Sequence, residues 1–143
     1  MLLPFREHLD FGPTPYDLLQ AKEGIPIVRG NVIADVLDVA LGKWERMGVL
    51  GSFVNLSNQQ RTDAYICEIP PAGQTLPQRH LFEEIVYVAK GRGATSVWQE
   101  GVGKVTFEWA TARFLRCRST LLTFTSMVQR SRCVCLSAPL ARQ

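Results

Sequence analysis

Residues 70–93 read PPAGQTLPQRHLFEEIVYVAKGRG, and the fold turns on how that stretch divides. Proline has no amide proton to give a ladder, so PPAGQ, with Pro70, Pro71 and Gly73, reads as a turn rather than a central strand. LFEEIVYVA, from Leu81 to Ala89, alternates apolar and polar residues and is rich in β-formers, the pattern of a half-buried strand. The glycines of KGRG read as a hairpin turn into ATSVWQE, and GVG as a second turn into KVTFEWA. No helix signal follows Gly91–Gly93, so that segment is not a phosphate loop. Three consecutive strands on short glycine turns predict an antiparallel meander. SFVNL and DAYICEI upstream carry the same alternation, and the reading over residues 51–110 is all-β.

Working toward the N-terminus, TPYDLLQAKEG predicts one short helix. Thr14 is placed to cap it, Pro15 fits the first helical position, Asp17 suits the positive end, and Gly24 suits the close. GNVIADVLDVALGKWERMG, residues 30–48, fits a helix in places and short strands in others, and its reading stays mixed. Residues 1–50 are therefore expected to be a helical and extended segment ahead of the strands. The opening MLLPFREHLD is charged by its sixth residue and has no signal-peptide core, and no apolar run is long enough to span a membrane. The expected compartment is the cytoplasm, where four cysteines read as thiols.

Working toward the C-terminus, the composition changes near Ala110. Residues 1–108 hold all 13 acids and 10 of the 16 bases, a net charge of −3, whereas residues 109–143 hold six arginines and no acid. All 11 glycines lie at or before Gly103, and three of the four cysteines (Cys117, Cys133, Cys135) lie beyond it, with Cys67 apart. Local β-forming pieces such as TLLTFTSMV occur there, but no glycine marks a turn. The tail is thus expected to leave the sheet open, with unpaired backbone at its edge.

Strand alternation would turn Gln78, His80, Phe82 and Glu84 one way and Arg79, Leu81, Glu83 and Ile85 the other. Gln78, His80 and Glu84 would share one face over about 20 Å, at roughly 3.3 Å per residue. A carboxylate facing a barrel interior needs a partner, because burying it alone is costly. A bound divalent cation is one such partner, and a hydrogen bond between His80 and Glu84 is another. Glu83 and Glu84 face opposite ways and do not form an acid/base dyad. Trp98, Phe107 and Trp109 read as core or mouth-lining aromatics, and Cys133-Val-Cys135 as small hydrophobes rather than half of a zinc site. No Ser-His-Asp or Cys-His arrangement is present, and the catalytic residues are unknown.

The same segment resembles the first motif of the cupins, G-x5-H-x-H-x3-4-E-x6-G, through His80, Glu84 and Gly91 at the required spacing. The wider text, from GIPIVRG through WERMG, DAYICEIPPAG, RHLFEEIVYV and FEW, is similar to a group of bacterial cupin-domain proteins over most of residues 12–110. The resemblance implies a cupin-type antiparallel jelly-roll barrel, here expected to be incomplete. It also implies a divalent transition metal (Fe, Mn or Zn) inside it, held by His80, Glu84 and, weakly, Gln78. Two departures stand out. Gln78 takes the place of the first motif histidine, with Gly73 one residue too close, and no histidine follows His80 to supply the second motif, G-x5-P-x-G-x2-H-x3-N. His8 is the only other histidine.

The composition of residues 111–143 is one that out-of-frame reading of a GC-rich gene can produce. A forward shift of one nucleotide permits Gly for Arg113, Pro for Ser119, His for Thr125 and Asn for Gln129, nearly the spacing of the missing motif. Residues 51–110 are then the barrel core and 111–143 an atypical basic tail. Three readings follow: a truncated or degenerate cupin with a partial metal site and no turnover, a metal-dependent oxygenase-type cupin, and a non-enzymatic cupin holding a small molecule in the barrel. Open sheet edges imply homodimers or aggregation. The arginines lack any accompanying nucleic-acid motif, and nucleic acid is not the expected partner.

Overall fold

The computed structural model describes residues 12–56, 63–79, 83–99, 101–117, 121–126 and 131–138. Helix α1 (Pro15–Glu23) forms where its caps are written. The Thr14 hydroxyl accepts from the Asp17 amide at 3.1 Å, and the Asp17 carboxylate accepts from the Thr14 amide at 2.8 Å. Gly24, in the left-handed region at φ 65°, closes the helix through its amide on Gln20.

Eleven strands follow among the described residues: β1 (Ile27–Gly30), β2 (Gly42–Trp44), β3 (Val49–Leu56), β4 (Asp63–Ile69), β5 (Gln78–Arg79), β6 (Glu83–Lys90), β7 (Arg92–Gln99), β8 (Gly103–Ala110), β9 (Phe114–Cys117), β10 (Leu121–Ser126) and β11 (Ser131–Ala138). They make two sheets that are not closed onto one another. The larger runs β1-β3-β4-β11-β6-β9, with β2 also on β3, and the smaller runs β5-β10-β7-β8. All pairs are antiparallel except β1 with β3. The mixed stretch at residues 30–48 resolves into an irregular segment over 31–41, the short β2 and a turn into β3 closed by Gly48 at φ 70°.

Two expectations need correction. The meander fails at its first step, because β6 lies in the larger sheet while β7 and β8 form a hairpin in the smaller one. The chain changes sheets at Gly91, which is buried and has φ 106°. A Cβ there would stand 2.3 Å from the Ser131 Oγ and 2.8 Å from its Cα. GRG is therefore a corner between sheets rather than a hairpin turn. Gly91→Ala combines a disfavoured backbone conformation with a clash against a strand, and about 2–4 kcal/mol of stability should be lost in urea unfolding.

The second correction concerns the C-terminal segment. The sheets stay unclosed, as expected, but the segment extends their ladders: β11 sits inside the larger sheet, paired with β4 from Ser131 to Ser137 and with β6 from Arg132 to Ala138. Likewise β10 lies between β5 and β7. Strand edges remain open at β8 and β9 among the described residues.

The main core lies between the sheets, built on Trp44, Met47, Phe53, Ile69, Val86 and Val88. Trp44 stacks edge-on against Phe53 and Tyr65, and its indole donates to Glu23 at 2.6 Å, which ties α1 to the barrel. A second cluster (Val54, Ala64, Ile66) occupies the outer face of the larger sheet under Ile33, Val36, Val39 and Leu41. Arg132 of β11 fixes that cover. It pairs with Glu68 at 2.6 Å and donates to the carbonyls of Val36 and Val39 at 3.0 and 3.3 Å.

Candidate functional site

Register decides what faces the interior. On β11, Cys133 lies opposite Cys67 of β4 and Val88 of β6, and Cys135 lies opposite Tyr65 and Val86. Glu84 is opposite Ser137 on one side and Cys117 on the other. With alternation, Tyr65, Cys67, Cys133, Cys135 and Glu84 converge on the inner face of three adjacent strands. Glu84 is 1% exposed and the three thiols are buried as deeply.

The Tyr65 hydroxyl donates to Glu84 Oε1. Burial, reinforced by Cys135 and Glu84, holds the Tyr65 phenol well above its ordinary range. Hydrogen bonds from Cys133 and Cys135 pull the Cys67 thiol down to about 5, against burial and the charge of Glu84. Cys133 is pushed up by its hydrogen bond to Cys67 and then by burial, and Cys135 by burial and then by the same acceptor. The interior thus gathers one phenol, one carboxylate and three thiols on adjacent strands.

Stability should therefore fall on the alkaline side. Unfolded thiols ionise at the ordinary 9.0, while folded Cys133 and Cys135 keep their protons. Their contribution is whole below pH 9 and is lost as pH rises toward the raised values, by up to about 1.4 kcal/mol per pH unit for each group. Tyr65 adds its share above the ordinary phenol value of 10.0. Cys67, already ionised when folded, adds nothing further there. Urea midpoints followed upward from pH 9 check the slope, which the double variant Cys133→Ala/Cys135→Ala should flatten.

Of the expected ligands, Glu84 faces the interior as alternation required. Gln78 lies on β5 in the other sheet, where its carbonyl oxygen accepts from Arg46 at 3.0 Å and its amide donates to the Leu76 carbonyl at 3.0 Å. The single strand that was to carry Gln78 and Glu84 together is thus two strands in two sheets. His80 lies outside the described residues, as does His8. Among the described residues no group of three or more His, Cys, Asp or Glu is placed to hold a metal ion. A carboxylate engaged by a phenol beside three thiols does not fit the imidazole and carboxylate set that Mn(II) or non-haem Fe(II) takes.

The aromatic readings divide. Trp109 is core, its indole donating to Thr95 at 2.9 Å; Trp98 is half-buried under the Lys104 ammonium at 5.6 Å; Phe107 is partly exposed. Sequence reasoning missed Tyr65 and the thiol cluster. The alternation was visible in DAYICEI and again in SRCVC, but nothing local joins two segments 66 residues apart at Cys67 and Cys133.

No family model and no curated protein matches the sequence. Solved structures do. The Schizosaccharomyces pombe Cnp3 cupin domain matches with a TM-score of 0.61 over 76% of this chain and 74% of that one, at 12% identity. Oxalate decarboxylase of Lactobacillus farciminis, in a formate complex, matches with a TM-score of 0.62 over 75% of this chain and 33% of its own, at 15% identity. Tomato vicilin gives 0.59 over 71% and 33%, at 16% identity. This chain has a cupin fold. At such identities the likeness carries the fold alone, and the chain spans about a third of the oxalate decarboxylase and vicilin chains. Within this fold the larger sheet carries the buried cluster, and no helix among the described residues is long and apolar enough to cross a membrane.

Proposed function

We propose that this chain is a cupin-domain protein with a partial metal site and no turnover of its own, serving as a folded binding module. The observation that carries this reading is the engagement of Glu84. The carboxylate of the motif is buried, hydrogen-bonded to Tyr65 and flanked by thiols. A carboxylate so used holds three strands together from within. Gln78, spent on Arg46 and on main-chain carbonyl oxygen, points the same way.

Metal content of the purified protein tests it. Iron, manganese and zinc are each expected well below one ion per chain. One ion per chain, lost in both His80→Ala and Glu84→Gln, would overturn the proposal in favour of a metal-dependent, oxygenase-type enzyme. For that reading the fold offers a precedent in the oxalate decarboxylase of Bacillus subtilis with its Mn(II) centres, matched at 9% identity. A small molecule held in the barrel is compatible with a protein free of metal, and mass spectrometry under native conditions detects it.

Three further parts belong to the same proposal. The three described thiols are unbridged, consistent with a cytoplasmic location. The open edges favour self-association. The division at residue 110, with a frameshifted tail beyond it, stands on composition, and the gene's nucleotides from codon 110 test it: absence of the Gly, Pro, His and Asn series from the shifted frame ends it.

A further inference from the structure

The smaller sheet ends at β8, which pairs with β7 on one side only among the described residues. Exposure confirms the free edge: Gly103 to Glu108 are exposed on both faces of the strand, and only Trp109 is buried. Lys104, Thr106 and Glu108 share one face, and the Thr106 hydroxyl meets that of Ser96 at 2.8 Å. Val105 and Phe107 share the other, 56% and 37% exposed. An edge of this length with apolar residues on it is a template for another strand, and nothing in its own sequence blocks pairing: it holds no proline, and its two charges have opposite sign.

The order of those residues selects the strand. When KVTFE is laid antiparallel on itself about a two-fold axis through Thr106, Lys104 falls opposite Glu108 of the second copy, and Val105 falls opposite Phe107. Each match occurs twice by symmetry. Moving the axis by one residue along the strand places Lys104 or Glu108 opposite an uncharged residue and removes both ion pairs. One register therefore satisfies the charged face and the apolar face at once. The Lys104 ammonium already sits over the Trp98 ring on the charged face, which restrains it near the partner strand.

We propose that β8 is the self-association edge of this protein, pairing antiparallel with β8 of a second copy in the register centred on Thr106. This rests on the reading that the chain self-associates, and it adds the surface, the partner and the alignment. The two smaller sheets would merge into one continuous eight-stranded sheet across the dimer.

Light scattering on the eluting full chain, together with cross-linking at position 106, tests it. Wild type is expected at twice the 16.0 kDa monomer mass. Lys104→Glu places like charges opposite each other at two points and should weaken the dimer about ten-fold or more. The double exchange Lys104→Glu/Glu108→Lys restores the match and should restore the dimer, while the near-ultraviolet spectrum shows that each variant is folded. Thr106→Cys should give, under mild oxidation, a disulfide linking the two copies at position 106, identified by peptide mapping against the native thiols. A monomeric wild type overturns both self-association and this edge. A dimer indifferent to Lys104→Glu, with no link through position 106, overturns the edge and leaves self-association standing.

Discussion

Arg132→Met is expected to lower the stability of the fold by about 3–5 kcal/mol, because it strips a buried carboxylate of its cation. The Arg132 and Glu68 side chains are 12% and 8% exposed, and two guanidinium nitrogens reach one carboxylate oxygen, at 3.0 and 2.6 Å. The same guanidinium serves the carbonyls of Val36 and Val39. Losing it therefore releases the irregular segment over residues 31–41 from the outer face of the larger sheet, where Ile66 and Val54 are buried. The double variant Arg132→Met/Glu68→Met should recover much of the loss, since a buried pair replaced by apolar groups of similar volume is often neutral. Urea midpoints give both numbers. A single variant within about 0.5 kcal/mol of wild type, the range of an ordinary surface change, would mean that residue 132 is not at the centre of this sheet.

That experiment bears on how the sequence is read. Local signals were enough for α1, whose caps Thr14, Asp17 and Gly24 act within one turn of the chain. They were enough for β4, β6, β7 and β8, each an alternating run. They were not enough to divide strands between sheets. A glycine at a hairpin and a glycine at a corner look alike in sequence, and Gly91 is distinguished by distant residues, Ser131 lying against it and the Thr111 hydroxyl bonded to its main chain. The partnership of β11 with β4 and β6 is likewise non-local. Charge bias and missing glycines made the last segment look foreign, yet its inner positions are Ser131, Cys133 and Cys135, small enough for a crowded sheet. The site was legible in the same measure. Alternation placed Glu84 inward; Gln78 was assigned to the same face on the assumption of one continuous strand, and the two lie in different sheets. Tyr65, the group that engages Glu84, was hidden because its strand lies 19 residues away and carries no motif.

The largest effect is expected from ending the chain after Ala110. Judged by composition, residues 51–110 are an incomplete barrel core to which the basic segment adds little. The topology says the reverse. Without β11, β4 and β6 lose the strand that joins them, and β6 keeps no neighbour in the larger sheet once β9 is gone as well. Without β10, the β7–β8 hairpin is left on its own, and an isolated hairpin is marginal in water. Val86 and Val88, fully buried in the intact chain, would face solvent along with Cys67 and Ile69. Net stabilities of domains this size are about 5–15 kcal/mol, and the loss of three strands exceeds that margin. The shortened chain should show no cooperative unfolding transition, poor spectral dispersion and strong binding of an apolar dye. A cooperative transition close to that of the full chain would instead make the last 33 residues an appendage to the sheets. Arg132→Met separates the two outcomes independently, since a side chain on an appendage has no buried carboxylate to desert.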